Sequence, residues 1–201
     1  MGDVLVDRKA IVRSEVISLA VAIGLLLLLC FILPVMTQNT THTWYRANNQ
    51  YIIGPAVNGV LIYSALRMKK FYNIIGVVLL PSLCAVALGI LGINAIFMLY
   101  MVPIIWVGNM AIVCSFRLVF HKILTNNTSR YIAAALLGIT LKVAVIFIGF
   151  LILRDFGLFP NTVASTLYSM MGVMQFVTAT FGAALAFVFF KSTTPKGLQK
   201  F

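Results

Sequence analysis

Residues 131–153 read YIAAALLGITLKVAVIFIGFLIL, twenty-three residues of which one, Lys142, is charged. Crossing the roughly 30 Å hydrocarbon core of a bilayer takes about 20 mostly apolar residues at 1.5 Å per residue, so this run predicts a transmembrane helix. Lys142 lies twelve residues from both Arg130 and Arg154, about 18 Å of helix from either flank, which places it near the midplane. Snorkelling from that depth is hard, and an intramembrane lysine costs roughly 3 kcal/mol on insertion scales. Lys142 should therefore face a polar interior. The helical period puts Ala135, Gly138, Lys142, Val145 and Gly149 on one face, and small residues mark packing faces in membranes.

Outward from this run the same texture covers the chain. Of its 201 residues 62% are hydrophobic and 9% charged, against about a quarter charged in soluble domains. Further apolar runs occupy 16–36, 52–66, 74–91, 96–120 and 163–190, which predicts an all-α integral membrane protein, six transmembrane helices in one bundle. The run at 52–66 is short, and Gly54-Pro55 near its start predicts an irregular outer end. The net charge of +11 does not suggest a nucleic-acid binder, because the basic residues cluster between spans rather than along one polar face. Arg8, Lys9 and Arg13 precede the first run, Arg67, Lys69 and Lys70 follow the second, Lys122 and Arg130 follow the fourth, and Lys191, Lys196 and Lys200 follow the sixth. The other connections carry only Arg46 and Arg154. The positive-inside rule then places both termini in the cytoplasm (N-in/C-in) and the protein in the cell membrane. Residues 1–15 form a cytoplasmic N-terminal segment, 16–190 the membrane domain and 191–201 a cytoplasmic tail; the first span is expected to be retained, having no small-x-small cleavage site.

Polar residues recur inside the other runs. Gly54, Asn58 and Ala65 share a stripe of the second, and Gly172, Gln175, Ala179, Gly182 and Ala186 share a stripe of the sixth. In the fourth, Trp106 lies one turn outward of Asn109. Polar groups facing lipid are costly, so these stripes are expected to converge and enclose Asn58, Asn109, Lys142 and Gln175, or else to hydrogen-bond only between helices. An ammonium, three amides and Trp106 would suit a small solute with an anionic or carbonyl group and a flat apolar part. The longest outer connection, residues 37–51, reads TQNTTHTWYRANNQY. Its length and its Trp44, Tyr45 and Arg46 suit a lid, although Trp and Tyr also anchor ordinary loops at headgroup depth.

Other chemistries find little here. The acidic residues are Asp3, Asp7, Glu15 and Asp155, all at or beyond span ends, which leaves no membrane carboxylate for ion coupling. Cys30, Cys84 and Cys114 form no Cys-x-x-Cys pair, and His42 and His121 fall on opposite sides of the membrane, so no metal or other cofactor is expected. No nucleophile with a base and no carboxylate pair suggests an enzyme.

Gly54-Pro55-Ala56-Val57-Asn58, Pro81 and Gly89, Pro103 with Gly108-Asn109, and Met174-Gln175 followed by Gly182 carry a resemblance over nearly the whole chain. The chain resembles the substrate-binding S components of energy-coupling factor (ECF) transporters, which import vitamins and other micronutrients. The resemblance implies substrate capture beneath the first outer loop, and a transmembrane coupling subunit with two ATP-binding subunits as partners. It also implies docking of that subunit on an Ala-x-x-x-Ala motif, matched here by Ala20 and Gly24, with Gly in place of the second Ala. One rival reading is a six-span scaffold similar to the rod-shape-determining membrane protein of cell-wall synthesis, with no substrate and its inward polar groups paired. Another is a redox subunit resembling six-span members of sodium-pumping complexes, whose symmetric cysteines this chain lacks.

Overall fold

The computed structural model describes residues 2–34, 43–88, 95–122 and 127–193. These form α1 (Gly2–Leu27), which continues into a π-helical turn (Leu28–Ile32), α2 (Thr43–Arg67), α3 (Phe71–Leu88), α4 (Ala95–Lys122), α5 (Asn127–Asp155), α6 (Asn161–Met171) and α7 (Val173–Thr193). Val12–Ile32, Ile96–Val119, Thr128–Asp155 and Asn161–Ser192 are each long and apolar enough to cross a membrane, and Phe71–Ala87 is a shorter apolar helix. Large apolar side chains face outward, Leu136 at 66% exposure and Val188 at 64%, while Asn58 and Lys142 are only 2% and 3% exposed. Apolar outside and polar inside is the arrangement that lipid as solvent requires. The chain is a multi-pass helical membrane protein.

The second helix differs most from its sequence reading. Instead of a short run with an irregular end, α2 is continuous from Thr43 to Arg67 with Pro55 inside it. A proline removes one ladder hydrogen bond, here the one to the Tyr51 carbonyl, and Tyr51 is exposed near the start of the helix. Residues 43–51, read as part of a loop, form its first turns. They contain neither Gly nor Pro, so nothing in the backbone stops a helix there. The rest of the expected lid, residues 37–42, lies outside the described residues. α2 packs against α1, α3, α4 and α7, and every residue from 57 to 62 is buried. A helix sheathed by others has little lipid to face, which allows it to be less apolar than the helices around it.

The crossing of α2 and α7 is set by glycines. A Cβ on Gly182 would stand 2.8 Å from the Pro55 carbonyl oxygen and 2.9 Å from the Gly59 nitrogen, and one on Gly54 would stand 2.7 Å from Thr178 Cγ2. Only a missing side chain permits that backbone approach. The stripe read along the sixth run fits this contact, with Ala179, Gly182 and Ala186 all buried. That run, expected to be continuous, divides at Gly172, whose φ of −98° and ψ of −104° depart from the helix. α5 ends where Gly157 takes φ 74° and its N–H donates to the Arg154 carbonyl at 2.8 Å, the left-handed stop that glycine favours.

Two charged side chains clamp the turn between α2 and α3. Glu15 of α1, buried, accepts from the backbone N–H of Lys69 and from that of Lys70 at 2.8 Å. Arg117 of α4 donates to the carbonyls of Met68 at 2.9 Å and Lys69 at 2.8 Å. Polar backbone at the edge of an apolar bundle is thereby satisfied from both sides. At this same end Tyr131 of α5 donates its hydroxyl to the Ala183 carbonyl at 2.6 Å, its ring packed between Phe116 and Phe187. Away from it, Phe147, Phe150, Phe159 and Tyr168 hold α6 against α5, the Phe147 and Tyr168 rings meeting edge-on at 5.2 Å.

Candidate functional site

The stripes converge on Asn58. Lys142, from the middle of α5, donates through Nζ to Asn58 Oδ1. Asn58 Nδ2 donates to the Gly54 carbonyl of its own helix at 2.9 Å and, at a long 3.5 Å, to Thr178 Oγ1 of α7. Thr178 Oγ1 in turn donates to the Gln175 carbonyl at 3.3 Å. A polar chain thus links α5, α2 and α7 through the centre of the bundle. The close α2 to α7 crossing makes it possible, because Gly54 and Gly182 bring Asn58 within reach of Thr178.

This chain walls one side of a cleft of about 130 Å³, which Asn58, Asn109, Lys142, Gln175, Thr178 and Ser82 line with apolar neighbours between them. At about 30 Å³ per water in the liquid, that is room for roughly four water molecules or a compact organic group. The cleft reaches Gln50 near the start of α2, so it lies toward the end of the bundle opposite the Glu15 and Arg117 clamp. Two features leave its chemistry incomplete. A lysine ammonium carries three donors, and among the described residues Asn58 is the one hydrogen-bond partner of Lys142. Asn109 Oδ1 is buried without a hydrogen-bond partner among the described residues. Unmet buried donors and acceptors are costly and call for an explanation. A ligand that offers an acceptor to Lys142 and a donor to Asn109 answers both.

Asn58, Asn109, Lys142 and Gln175 are therefore brought together as their helical spacing indicated. Trp106 is not among the residues lining the cleft. Its indole N–H donates to Ser82 Oγ at 2.6 Å, and the Ser82 hydroxyl donates in turn to the Leu79 carbonyl at 3.0 Å, so Trp106 fixes α4 to α3 beside the cleft. Trp44, Tyr45 and Arg46 fall in the first turn of α2, and their side chains lie outside the described residues. Ala20 and Gly24 sit on an exposed face of α1, where a Cβ on Gly24 would meet nothing within 4 Å. Thr178, Ser82 and Gln50 were not singled out by sequence. Thr178 stands one turn from Gln175 and could have been found from it, whereas Ser82 looks like any small residue of an apolar helix. Cys30 is buried in the π-helical turn that continues α1 and reaches the cleft wall.

The unpartnered Asn109 oxygen makes a prediction independent of any ligand's identity. Asn109→Leu, of similar volume, removes an unmet acceptor and should leave the ligand-free protein as stable or about 1 kcal/mol more stable in a detergent melt. Destabilisation by more than that amount would mean Oδ1 has a partner in the folded protein.

No family model, no curated protein and no solved structure matches this chain. The class is defined by fold and site alone: a multi-pass helical membrane protein with a buried, amide-lined cleft around one lysine.

Proposed function

We propose that this protein is the substrate-capture subunit of a micronutrient importer, of the kind represented by ECF S components, taking a small solute from outside the cell. The observation that carries the reading is the cleft at Lys142, where an ammonium with spare donors and an unmet amide acceptor face a cavity of about 130 Å³. Such a site recognises a compact solute bearing a carboxylate or carbonyl beside an N–H or O–H donor. In this reading six helices span the membrane with both termini cytoplasmic, as loop charge indicates, and the cleft, which reaches Gln50, occupies the outer half. The reading assigns the closing of the site to Trp44, Tyr45 and Arg46, in the first turn of α2.

The reading assigns no catalytic step and no motor to the chain. Transport depends on a coupling subunit and two ATP-binding subunits, with the exposed face bearing Ala20 and Gly24 as the docking surface. A scaffold without substrate requires the inward polar groups to satisfy one another. Asn58 and Lys142 do so, but Asn109 Oδ1 does not, and the cleft remains, so capture is the better supported reading.

Thermal unfolding of the purified protein against a panel of vitamins and related small acids and amides tests it. A ligand present at a hundred times its Kd should stabilise the fold by about 2.7 kcal/mol. A panel without any stabilising member, together with no small molecule released from freshly purified protein by denaturation, would favour the scaffold.

A further inference from the structure

A second cavity, of about 370 Å³, lies on the flank of the bundle. It is an apolar groove with α2 as its floor at Ala56, Gly59 and Tyr63, and with α1 (Val21, Leu25) and α7 (Phe189) as its walls. Three pairs of contacts fix how its ends lie. Glu15 of α1 bonds the turn after Arg67, so α1 runs antiparallel to α2. Gly54 meets Thr178 while Arg67 meets Phe190, so α7 runs parallel to α2. The groove's Tyr63 end is therefore the end at which Arg13, Arg67 and Lys191 gather.

Arg67 is held there by construction. Its guanidinium stands 5.8 Å from the ring centroids of both Tyr63, in the α2 floor, and Phe190 of α7, which fixes a cation at the Tyr63 end of an apolar channel. Lys191, next to Phe190 in sequence, is exposed, as is Arg13 at the same end of α1, and Glu15 at that end is engaged by the backbone N–H groups of Lys69 and Lys70. From Ala56 to Tyr63 the floor is about 10 Å long, most of the ~15 Å of one hydrocarbon leaflet. That length suits the part of one acyl chain that lies within a leaflet.

We infer that the groove between α1, α2 and α7 binds one anionic phospholipid, its acyl chain along α2 and its phosphate at Arg67 and Lys191. Basic residues at the mouth of an interhelical groove favour acidic headgroups over zwitterionic ones. The site is separate from the Lys142 cleft, and its α1 wall, Val21 and Leu25, adjoins Ala20 and Gly24 of the proposed docking face.

Native mass spectrometry of the full chain, released from detergent containing equal amounts of phosphatidylglycerol and phosphatidylcholine with identical acyl chains, provides the test. One phosphatidylglycerol should be retained in preference to phosphatidylcholine. Lys191→Gln and Arg67→Gln should each reduce that preference roughly fivefold, and Ala56→Leu, which narrows the groove at its floor, should weaken retention of both lipids. Because Lys191 is exposed, its variant isolates the charge even if Arg67→Gln weakens the fold. Equal retention of the two lipids, or a preference unchanged in Lys191→Gln, overturns the inference. So does a dimer of the chain that Ala56→Leu dissolves, since a second copy would then be the occupant.

Discussion

Under the proposed capture function, Lys142→Met is expected to lose the stabilisation that a bound solute would give the parent protein, with affinity lower by roughly 30-fold to several thousandfold. The range follows from the 2–5 kcal/mol lost when one partner of a buried charged hydrogen bond is removed, at 1.4 kcal/mol per tenfold. The fold itself should survive. Lys142 is 3% exposed and has no acidic partner among the described residues, so methionine removes a desolvated charge while filling nearly the same volume. Against that gain, Asn58 Oδ1 loses its donor, which costs about 1–3 kcal/mol. The double variant Asn58→Leu with Lys142→Met removes both groups and should melt at or above the parent temperature while still binding nothing. Unchanged affinity in Lys142→Met, measured by isothermal titration with a ligand found in the thermal panel, would exclude Lys142 from the site.

The second large effect concerns the α2 to α7 crossing. Gly182→Ala should destabilise the protein by about 3 kcal/mol, at the upper end of the usual cost of overpacking. The added methyl meets the Pro55 carbonyl oxygen and the Gly59 nitrogen, which are helix backbone and have no rotamer to turn aside. Gly24→Ala is the matched control, since its methyl meets nothing within 4 Å, and it should be neutral or slightly stabilising through helix propensity. Equal unfolding midpoints for the two variants in a chemical denaturation series would refute the crossing. Because Asn58 also contacts Gly182, Gly182→Ala should shift the Asn58 side chain and weaken solute binding in whatever fraction remains folded.

How far the sequence discloses this molecule depends on what each helix faces. α5 and the outer parts of α4 and α7 touch lipid, and their apolar runs mark them within a few residues of their observed ends. α2 is surrounded by helices, so its composition answers to packing rather than to lipid, and its first turns, polar and without Gly or Pro, read as loop. The break at Gly172 was invisible because glycine is common in membrane spans, and nothing local separates a packing glycine from a breaking one. Asn58, Asn109, Lys142 and Gln175 were legible because polar groups at membrane depth are rare and must turn inward. Their pairing was not, since it depends on how deep each helix sits relative to its neighbours. Glu15 was read only as a carboxylate at a span end, and Arg117, inside the fourth run, was not singled out, for a different reason. Charges near span ends serve orientation so often that a structural use of the same charges leaves no separate mark.

That clamp also sets an order of events in biosynthesis. The turn at Met68–Lys70 leaves the ribosome early, with Glu15 already made, but the guanidinium that satisfies the Met68 and Lys69 carbonyls belongs to residue 117. Until α4 has been synthesised and inserted, the first hairpin carries carbonyls without their final donors. The bundle is thus closed from the middle of the chain, and nascent chains arrested before Arg117 should keep the α2 to α3 turn open to proteases that the finished protein resists.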